Sequence, residues 1–321
     1  MRAFVYTEYG SPDVLRLTEL AKPMPADGEV LIRVRAASVN PLDWRLMRGR
    51  PWVIRFMIGG LLKPKAGRPG ADVAGVVDAV GPRVTRFKPG DEVFGAGRGA
   101  FAEYVCLRED RLALKPVSIS FDDAAAVPVA ALTAIQGLRD HGHIQRGHAV
   151  LIDGASGGVG TFAIQIARSL GAEVTAVCST RNVDTARALG ADHVIDYTRD
   201  DFAKNGRRYD LILAANAHRS IFDYRRALAP EGFFVMAGGG WPQLIQGMVL
   251  GPLLSRLGRK TLTFFMAQIA SPDLEQLATM LAAGTIQPVI DRRYPLNEAP
   301  DALRYLEDGH ARGKVVIMLA P

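Results

Sequence analysis

Gly147-His-Ala-Val-Leu-Ile-Asp-Gly-Ala-Ser-Gly-Gly-Val-Gly160 is the stretch whose reading decides the fold of this chain. Ala149 to Ile152 is a short apolar run with the composition of a buried strand. The glycines after it allow a tight turn and close backbone approach, and Thr161 to Leu170 repeats apolar residues at helical spacing. Strand, turn and helix in that order bring amides and the positive end of a helix dipole to one point, which suits a pyrophosphate. Ala155 replaces the first glycine of the G-x-G-x-x-G spacing, so the turn alone reads equally as a phosphate cradle or as a structural turn.

Around this stretch the chain has the make-up of a globular protein. Its 321 residues are enough for about two domains. It is 48% hydrophobic and 22% charged, and no apolar run reaches the roughly 18 residues of a membrane span. The start, Met1-Arg-Ala-Phe-Val-Tyr6, enters a strand pattern directly and lacks a secretory apolar region, so a cytoplasmic protein is expected, with no stable membrane insertion. Cys106 and Cys178 stand far apart in strand-like segments and read as small buried hydrophobes rather than a disulfide or metal pair. The formal charge of +6 is spread among acids, without the basic, aromatic-interleaved stripe of a nucleic-acid binder.

The rhythm changes along the chain. Up to about Phe121 short strands alternate with turn residues: Arg2 to Thr7, Glu29 to Ala37, Val73 to Val80, Asp91 to Phe94 and Phe101 to Cys106. From about Asp122 to Thr263 strands alternate with helices in the pattern of parallel βαβ units. Residues 1–121, completed by 264–321, are therefore expected to form a β-rich domain, and 122–263 the nucleotide-binding domain. Two apolar segments, Trp52 to Leu62 and Trp241 to Leu257, fall outside the pattern and read as substrate mouth, dimer contact or core. Gly251-Pro252 is expected to interrupt any interfacial helix in the second.

The stretch from Gly147 to Arg168, with Leu151, Gln165 and Arg168 in place, resembles the signature of the quinone oxidoreductase and zeta-crystallin branch of the medium-chain dehydrogenase/reductase superfamily. Further blocks follow in the family's order: Ser38-Val-Asn40-Pro41-Leu-Asp43, Pro69-Gly70-x-Asp72-x-Ala74-Gly75, Phe87-Lys-Pro-Gly90-Asp91, Ala102-Glu103-Tyr104-Val105, Ala124-Ala-Ala-Val-Pro128 with Leu132-Thr133-Ala134, and Leu189-Gly-Ala-Asp192 to Tyr197. The resemblance implies an α/β protein with a GroES-like β-rich catalytic domain and a Rossmann domain built on a doubly wound parallel sheet. It also implies a cleft between the domains for nicotinamide and substrate, and a homodimer. Where zinc alcohol dehydrogenases carry Gly-His-Glu this chain has Gly70-Ala71-Asp72, and in place of their first cysteine it has Asn40. Two cysteines cannot fill the four-cysteine structural lobe, so a metal-free enzyme is expected. Without a Lewis acid the hydride acceptor has to be activated already, as a quinone or an α,β-unsaturated carbonyl is. Trp44, Trp52 and Phe56 agree with an apolar acceptor.

Asn40 has two readings, a hydrogen bond to a carbonyl or nicotinamide group and a turn-stabilising residue before Pro41. Asp43 either positions water or caps the following helix. Thr133 resembles the family threonine near the nicotinamide and also reads as a plain helix residue. Ser156, Gly157, Gly158, Val159 and Gly160 would hold the pyrophosphate. An NAD site needs an acid at the end of the second strand, about 20 residues past the turn, and Ser179-Thr180-Arg181-Asn182 stands there instead. Hydroxyls with a guanidinium suit the 2′-phosphate of NADP(H), although Ser179 and Thr180 also read as helix caps. Tyr197 matches a family tyrosine near the adenine and competes with core packing. Gly238 and Gly239, in the run Gly238-Gly239-Gly240, would lie by the nicotinamide or form a simple loop, and Lys314 resembles a family position that approaches the cofactor.

The function expected is a zinc-independent NADPH-dependent reductase of quinones or enones. The alternatives are an enoyl-thioester reductase and a nucleotide-binding structural or regulatory protein without turnover.

Overall fold

The computed structural model describes residues 1–50, 52, 55, 60–64, 67–309 and 311–319. Phe56 and much of the apolar 52–62 segment lie outside the described residues. Two compact units emerge, one of residues 1–129, 269–283 and 288–321, the other of 130–268 and 284–287. The divisions lie later than the changes of rhythm at 121 and 263. Residues 121–125 pack on strands of the first unit, and Ser271 donates to the carbonyls of Glu109 and Leu112.

In the first unit β1 (Arg2–Val5) and β2 (Arg16–Glu19) form a hairpin-like pair, followed by β3 (Glu29–Val39), α1 (Pro41–Arg48), β4 (Asp72–Val80), β5 (Glu92–Ala96), β6 (Tyr104–Arg108), β7 (Leu112–Leu114) and α2 (Phe121–Ala125). After α3 (Pro128–Gln136) the second unit runs through β8 (Ala149–Asp153), α4 (Gly158–Ser169), β9 (Glu173–Cys178), α5 (Val183–Ala188), β10 (His193–Asp196) and β11 (Tyr209–Ala214). It continues with α6 (Ile221–Ala227), β12 (Leu228–Met236), α7 (Trp241–Arg256) and β13 (Thr261–Phe264). The chain then returns to the first unit with α8 (Ser271–Ala282), β14 (Ile290–Pro295), α9 (Ala299–Glu307) and β15 (Lys314–Met318).

The first unit's main sheet has the order β14-β15-β3-β4-β5-β7, with β6 on β3. Its centre, β3, is apolar on both faces over much of its length and packs in a core with Val93 of β5, Leu112 of β7 and Leu303 of α9. The second unit's sheet has the order β10-β9-β8-β11-β12-β13, all parallel. A parallel sheet is covered on both faces, which is why β8 and β11 read as unbroken apolar runs rather than alternating ones. The chain moves outward from β8 to β9 and β10 on one side and to β11 and beyond on the other. The strand order therefore switches at β8, where ligands of such sheets bind beyond the carboxyl ends.

Two expectations need correction. Residues 241–256 form one helix that continues through Pro252, so Gly251-Pro252 does not interrupt it. The helix is held from outside its own ladder: Ser255 Oγ donates to the carbonyls of Gly251 and Leu262 and accepts from the Leu262 amide of β13. Its outer side leaves Ile245, Met248, Val249 and Leu253 exposed. The cysteines are both free thiols, but only Cys178 is buried; Cys106 is half-buried, and burial pushes both thiols up to about 11. Among the described residues no helix is long and apolar enough to cross a membrane.

Candidate active site

The glycine turn leaves β8 at its carboxyl end. Gly154 has a φ of 79°, and a Cβ there would fall 2.8 Å from Asn216 Cβ, so the turn needs glycine for both conformation and space. The helix starts pressed against its own turn: a Cβ on Gly160 would fall 2.2 Å from the Gly154 carbonyl oxygen. Ala155, in place of the usual first glycine, is buried, and its amide bonds the Val177 carbonyl of β9 at 3.1 Å. A side chain at that position is accommodated because its backbone faces the next strand. Gly157 caps α4, and Ser156 through Val159 are half-buried. A Cβ on Gly157 would meet nothing closer than 3.6 Å, which leaves open space over the amides of the first helical turn. The turn therefore fits a pyrophosphate by geometry: free amides, open space and the positive end of a 12-residue helix.

At the end of β9 the residues Ser179 to Asn182 make a single 3₁₀ turn before α5. Asn182 is buried, and its Nδ2 donates to Ser179 Oγ at 3.1 Å, leaving the Ser179 O–H available to donate outward. Thr180 is committed differently. Its Oγ1 donates to Asp196 Oδ2 at 2.5 Å, and Thr198 also bonds that carboxylate. The Thr180 hydroxyl holds the Asp196 carboxyl below its ordinary value, helped by Thr198. Counting along β9 finds no acid at this place. The parallel register that sets Asp196 of β10 beside Cys178 brings one in from the neighbouring strand. Tyr197 follows it and is 57% exposed, which removes the core-packing reading of that residue. Thr133 is buried within α3, and at the end of β12 the Gly238 carbonyl accepts from the Ala217 amide, with Gly239 bridged to Ala217.

In the first unit the antiparallel registers of β15, β3 and β4 gather a second group. Val315 pairs with Val39, which sets Lys314 level with Asn40, and Ser38 pairs with Asp72. All four side chains are buried. Asp72 Oδ2 accepts from Ser38 Oγ at 2.6 Å, Asn40 Nδ2 at 2.9 Å and Lys314 Nζ at 3.0 Å, and Oδ1 accepts from the Val129 amide at 2.9 Å. Lys314 Nζ also donates to Asn40 Oδ1 at 2.8 Å. Both N–H bonds of the Asn40 amide point inward, to Asp72 and, at 3.4 Å, to the Ser38 carbonyl. Asn40 is thus saturated as a donor. The ammonium of Lys314 makes two bonds out of three, and the third N–H has no acceptor among the described residues.

Asp43 lies beside this group. One carboxylate oxygen accepts from the Asn40 backbone N–H at 2.8 Å and the other from the Gly70 backbone N–H at 3.0 Å, so it caps α1 and ties its start to the segment before β4. Burial pushes its carboxyl up to about 7; the Asn40 and Gly70 amides pull the other way, Asp72 adds to the rise and Lys314 opposes it.

A zinc ion does not fit this group. The oxygens of Asn40 and Asp72 already converge on the Lys314 ammonium, a cation fixed within the chain. Among the described residues no cluster of three or more His, Cys, Asp or Glu side chains could hold a metal. Asp72 and Ser38 were not among the site residues expected from sequence. The available signal was the two-residue spacing of Ser38 and Asn40, which puts both on one side of the extended chain where β3 ends.

This arrangement, a GroES-like β unit and a Rossmann-like parallel sheet with its glycine turn at the switch point, defines the class of nicotinamide-dependent dehydrogenases and reductases. The family described as "Alcohol dehydrogenase GroES-like domain" matches residues 26–117, and "Zinc-binding dehydrogenase" matches residues 189–317. A "Quinone-oxidoreductase homolog, chloroplastic" of Spinacia oleracea is 33% identical over 99% of this chain and 98% of its own length. The "NADPH-dependent alkenal/one oxidoreductase, chloroplastic" of Arabidopsis thaliana is 32% identical over 100% of this chain and 80% of its own. Among solved structures, the quinone oxidoreductase from Coxiella burnetii superposes with a TM-score of 0.89 at 29% identity, covering 100% of this chain and 99% of that one. The chain belongs to the medium-chain dehydrogenase/reductase superfamily, in its quinone oxidoreductase-like branch, and is an oxidoreductase that uses a nicotinamide cofactor.

Proposed function

We propose that this protein is a zinc-independent, NADPH-dependent reductase of quinones or α,β-unsaturated carbonyl compounds. The observation that carries the reading is the Lys314 ammonium, buried and held by Asn40 and Asp72, with one N–H left to give. The cofactor, when bound, supplies a hydride to the electrophilic carbon of the acceptor.

The chain's own residues supply the rest. The third N–H of Lys314 donates to the acceptor's carbonyl oxygen and stabilises the negative charge that grows there. Asn40 and Asp72 fix the direction of that bond, and Asp43 fixes the backbone of Asn40. Water provides the proton that completes the product. A quinone or enone carries such an oxygen conjugated to the carbon that is reduced, so one charged donor replaces the metal. The names of the relatives agree with these two substrate classes.

For the cofactor, the amides at the start of α4, from Gly158 to Gly160, with Ser156 and Gly157 beside them, take the pyrophosphate. Ser179 O–H and the Arg181 guanidinium take the 2′-phosphate. Thr180 and Asn182 shape that pocket from within, since their polar groups serve Asp196 and Ser179. Tyr197 covers the adenine, and Thr133, Gly238 and Gly239 border the nicotinamide.

The test is NADPH oxidation with a benzoquinone, a simple enone and crotonyl-CoA, before and after treatment with a chelator. Quinone or enone reduction that survives the chelator is expected. Turnover of crotonyl-CoA alone would move the assignment to an enoyl-thioester reductase. Tight NADPH binding with no acceptor reduced would make the protein a nucleotide-binding regulator.

A further inference from the structure

The second unit carries another group of charges, at the opposite ends of the strands from the glycine turn. A cavity of about 450 Å³ is lined by Arg208, Phe222, Arg225, Arg226 and Lys260. Arg208 immediately precedes β11 and Lys260 immediately precedes β13, so both stand at the amino ends of parallel strands. Phe222, Arg225 and Arg226 lie on α6 at positions i, i+3 and i+4, which is one face of the helix. Four cations thus meet from three separate segments.

Their charges are poorly matched within the chain. Arg226 pairs with Asp223. Among the described residues Arg208 donates only to the carbonyls of Gly206 and Arg207. Arg225 Nε is buried with no partner among the described residues. Lys260 donates to the carbonyls of Arg225 and Leu228, and its ammonium is held below its ordinary value by burial and by Arg225 and Arg208. Attraction of cations to the carboxyl end of α6 accounts for Lys260. It does not account for Arg208, which belongs to no helix, or for a buried guanidinium nitrogen without an acceptor.

We propose that this cavity is a second anion site, which takes a small phosphate-bearing molecule with a planar ring, of the nucleoside diphosphate kind. Three cations without carboxylate partners among the described residues match the charge of a diphosphate, and arginines can grip its oxygens two at a time. Phe222, 56% exposed on the same wall, offers its face to the ring. A ligand here leaves the glycine turn free, because the turn lies beyond the carboxyl end of β8 in the same sheet.

The experiment is calorimetric titration of the full chain, held at saturating NADPH so that the glycine turn is filled, with inorganic pyrophosphate and with ADP at low salt. Arg208→Gln combined with Arg225→Gln is expected to weaken pyrophosphate about tenfold or more, whereas Arg108→Gln, at an exposed arginine of the first unit, changes it by less than about twofold. Phe222→Ala is expected to weaken ADP about fivefold while leaving pyrophosphate within about twofold. If the double variant melts well below the wild type without ligand, the exposed Arg208→Gln alone is read instead, with a loss of about threefold expected. Pyrophosphate binding that is absent from the wild type, or unchanged in these variants, overturns the site. Equal behaviour of ADP and pyrophosphate in Phe222→Ala overturns the ring contact.

Discussion

The glycine turn and the Lys314 cluster both present donors to a ligand, yet they are made from different materials. At the turn the donors are backbone amides within a few consecutive residues, and what the sequence supplies is the absence of side chains at Gly154 and Gly160. In the cluster the donors are side chains, and Lys314 meets an asparagine 274 residues away. A backbone site tolerates change in its flanks, as Ala155 shows, because its amides come with the fold. A side-chain site in a buried setting has no such slack, since each partner removed leaves another polar group without compensation.

The contrast breaks most sharply at Asp72. Asp72→Ala leaves the Lys314 ammonium buried beside a single acceptor and should destabilise the protein by about 3–5 kcal/mol, measured by denaturant unfolding. A loss below about 1 kcal/mol would mean that the cluster relaxes as easily as a turn. Lys314→Met removes the proposed donor but keeps the stem. It should lower kcat/KM for a quinone or enone about 100-fold, the usual size for one oxyanion donor, with NADPH affinity changed far less. A matching loss in NADPH affinity would instead place Lys314 against the cofactor.

Asp43 sharpens the comparison through pH. A carboxyl raised by burial to about 7 makes the folded chain hold a proton that the unfolded chain, at the ordinary carboxylate value, has released. Its contribution to stability is therefore full at low pH and is lost as pH rises through about 7. Between about pH 5 and pH 7 the unfolding free energy of the wild type should fall by about 2 kcal/mol relative to that of Asp43→Asn, followed by urea melts. Parallel pH profiles for the two proteins would show that Asp43 is ionised throughout. The smallest effect belongs to the turn side: Arg181→Ala should weaken NADPH about tenfold and NADH hardly at all, as read by fluorescence titration. Equal losses would show that Arg181 does not read the 2′-phosphate.

What could be read from the sequence follows the same division. The parallel units around β8 were legible because a doubly covered strand leaves an unbroken apolar run and a helix leaves its period. Short edge strands such as β7, β13 and β14 were not, having three to six residues and no alternation to set them apart from loops. The continuous helix through Pro252 was hidden because its support comes from Ser255 and the next strand, outside any local pattern. At the site, Asn40, Asp43 and Lys314 could be nominated individually. Their mutual bonds, and the part of Asp72, required the registers of β3, β4 and β15. Asp196 makes the same point in the second unit, since counting along one strand cannot find an acid delivered by its neighbour.

The separation of 242 positions between Asp72 and Lys314 also sets an order in time. At a synthesis rate of roughly 5–20 residues per second, Asp72 emerges on the order of 10–50 seconds before the cation that will cover it. During that interval the carboxylate has no ammonium to offset its removal from water, so β3 and β4 cannot close over it at little cost. The first unit is therefore expected to complete its closure over Ser38, Asn40 and Asp72 only when β15 docks and brings the last charge with it.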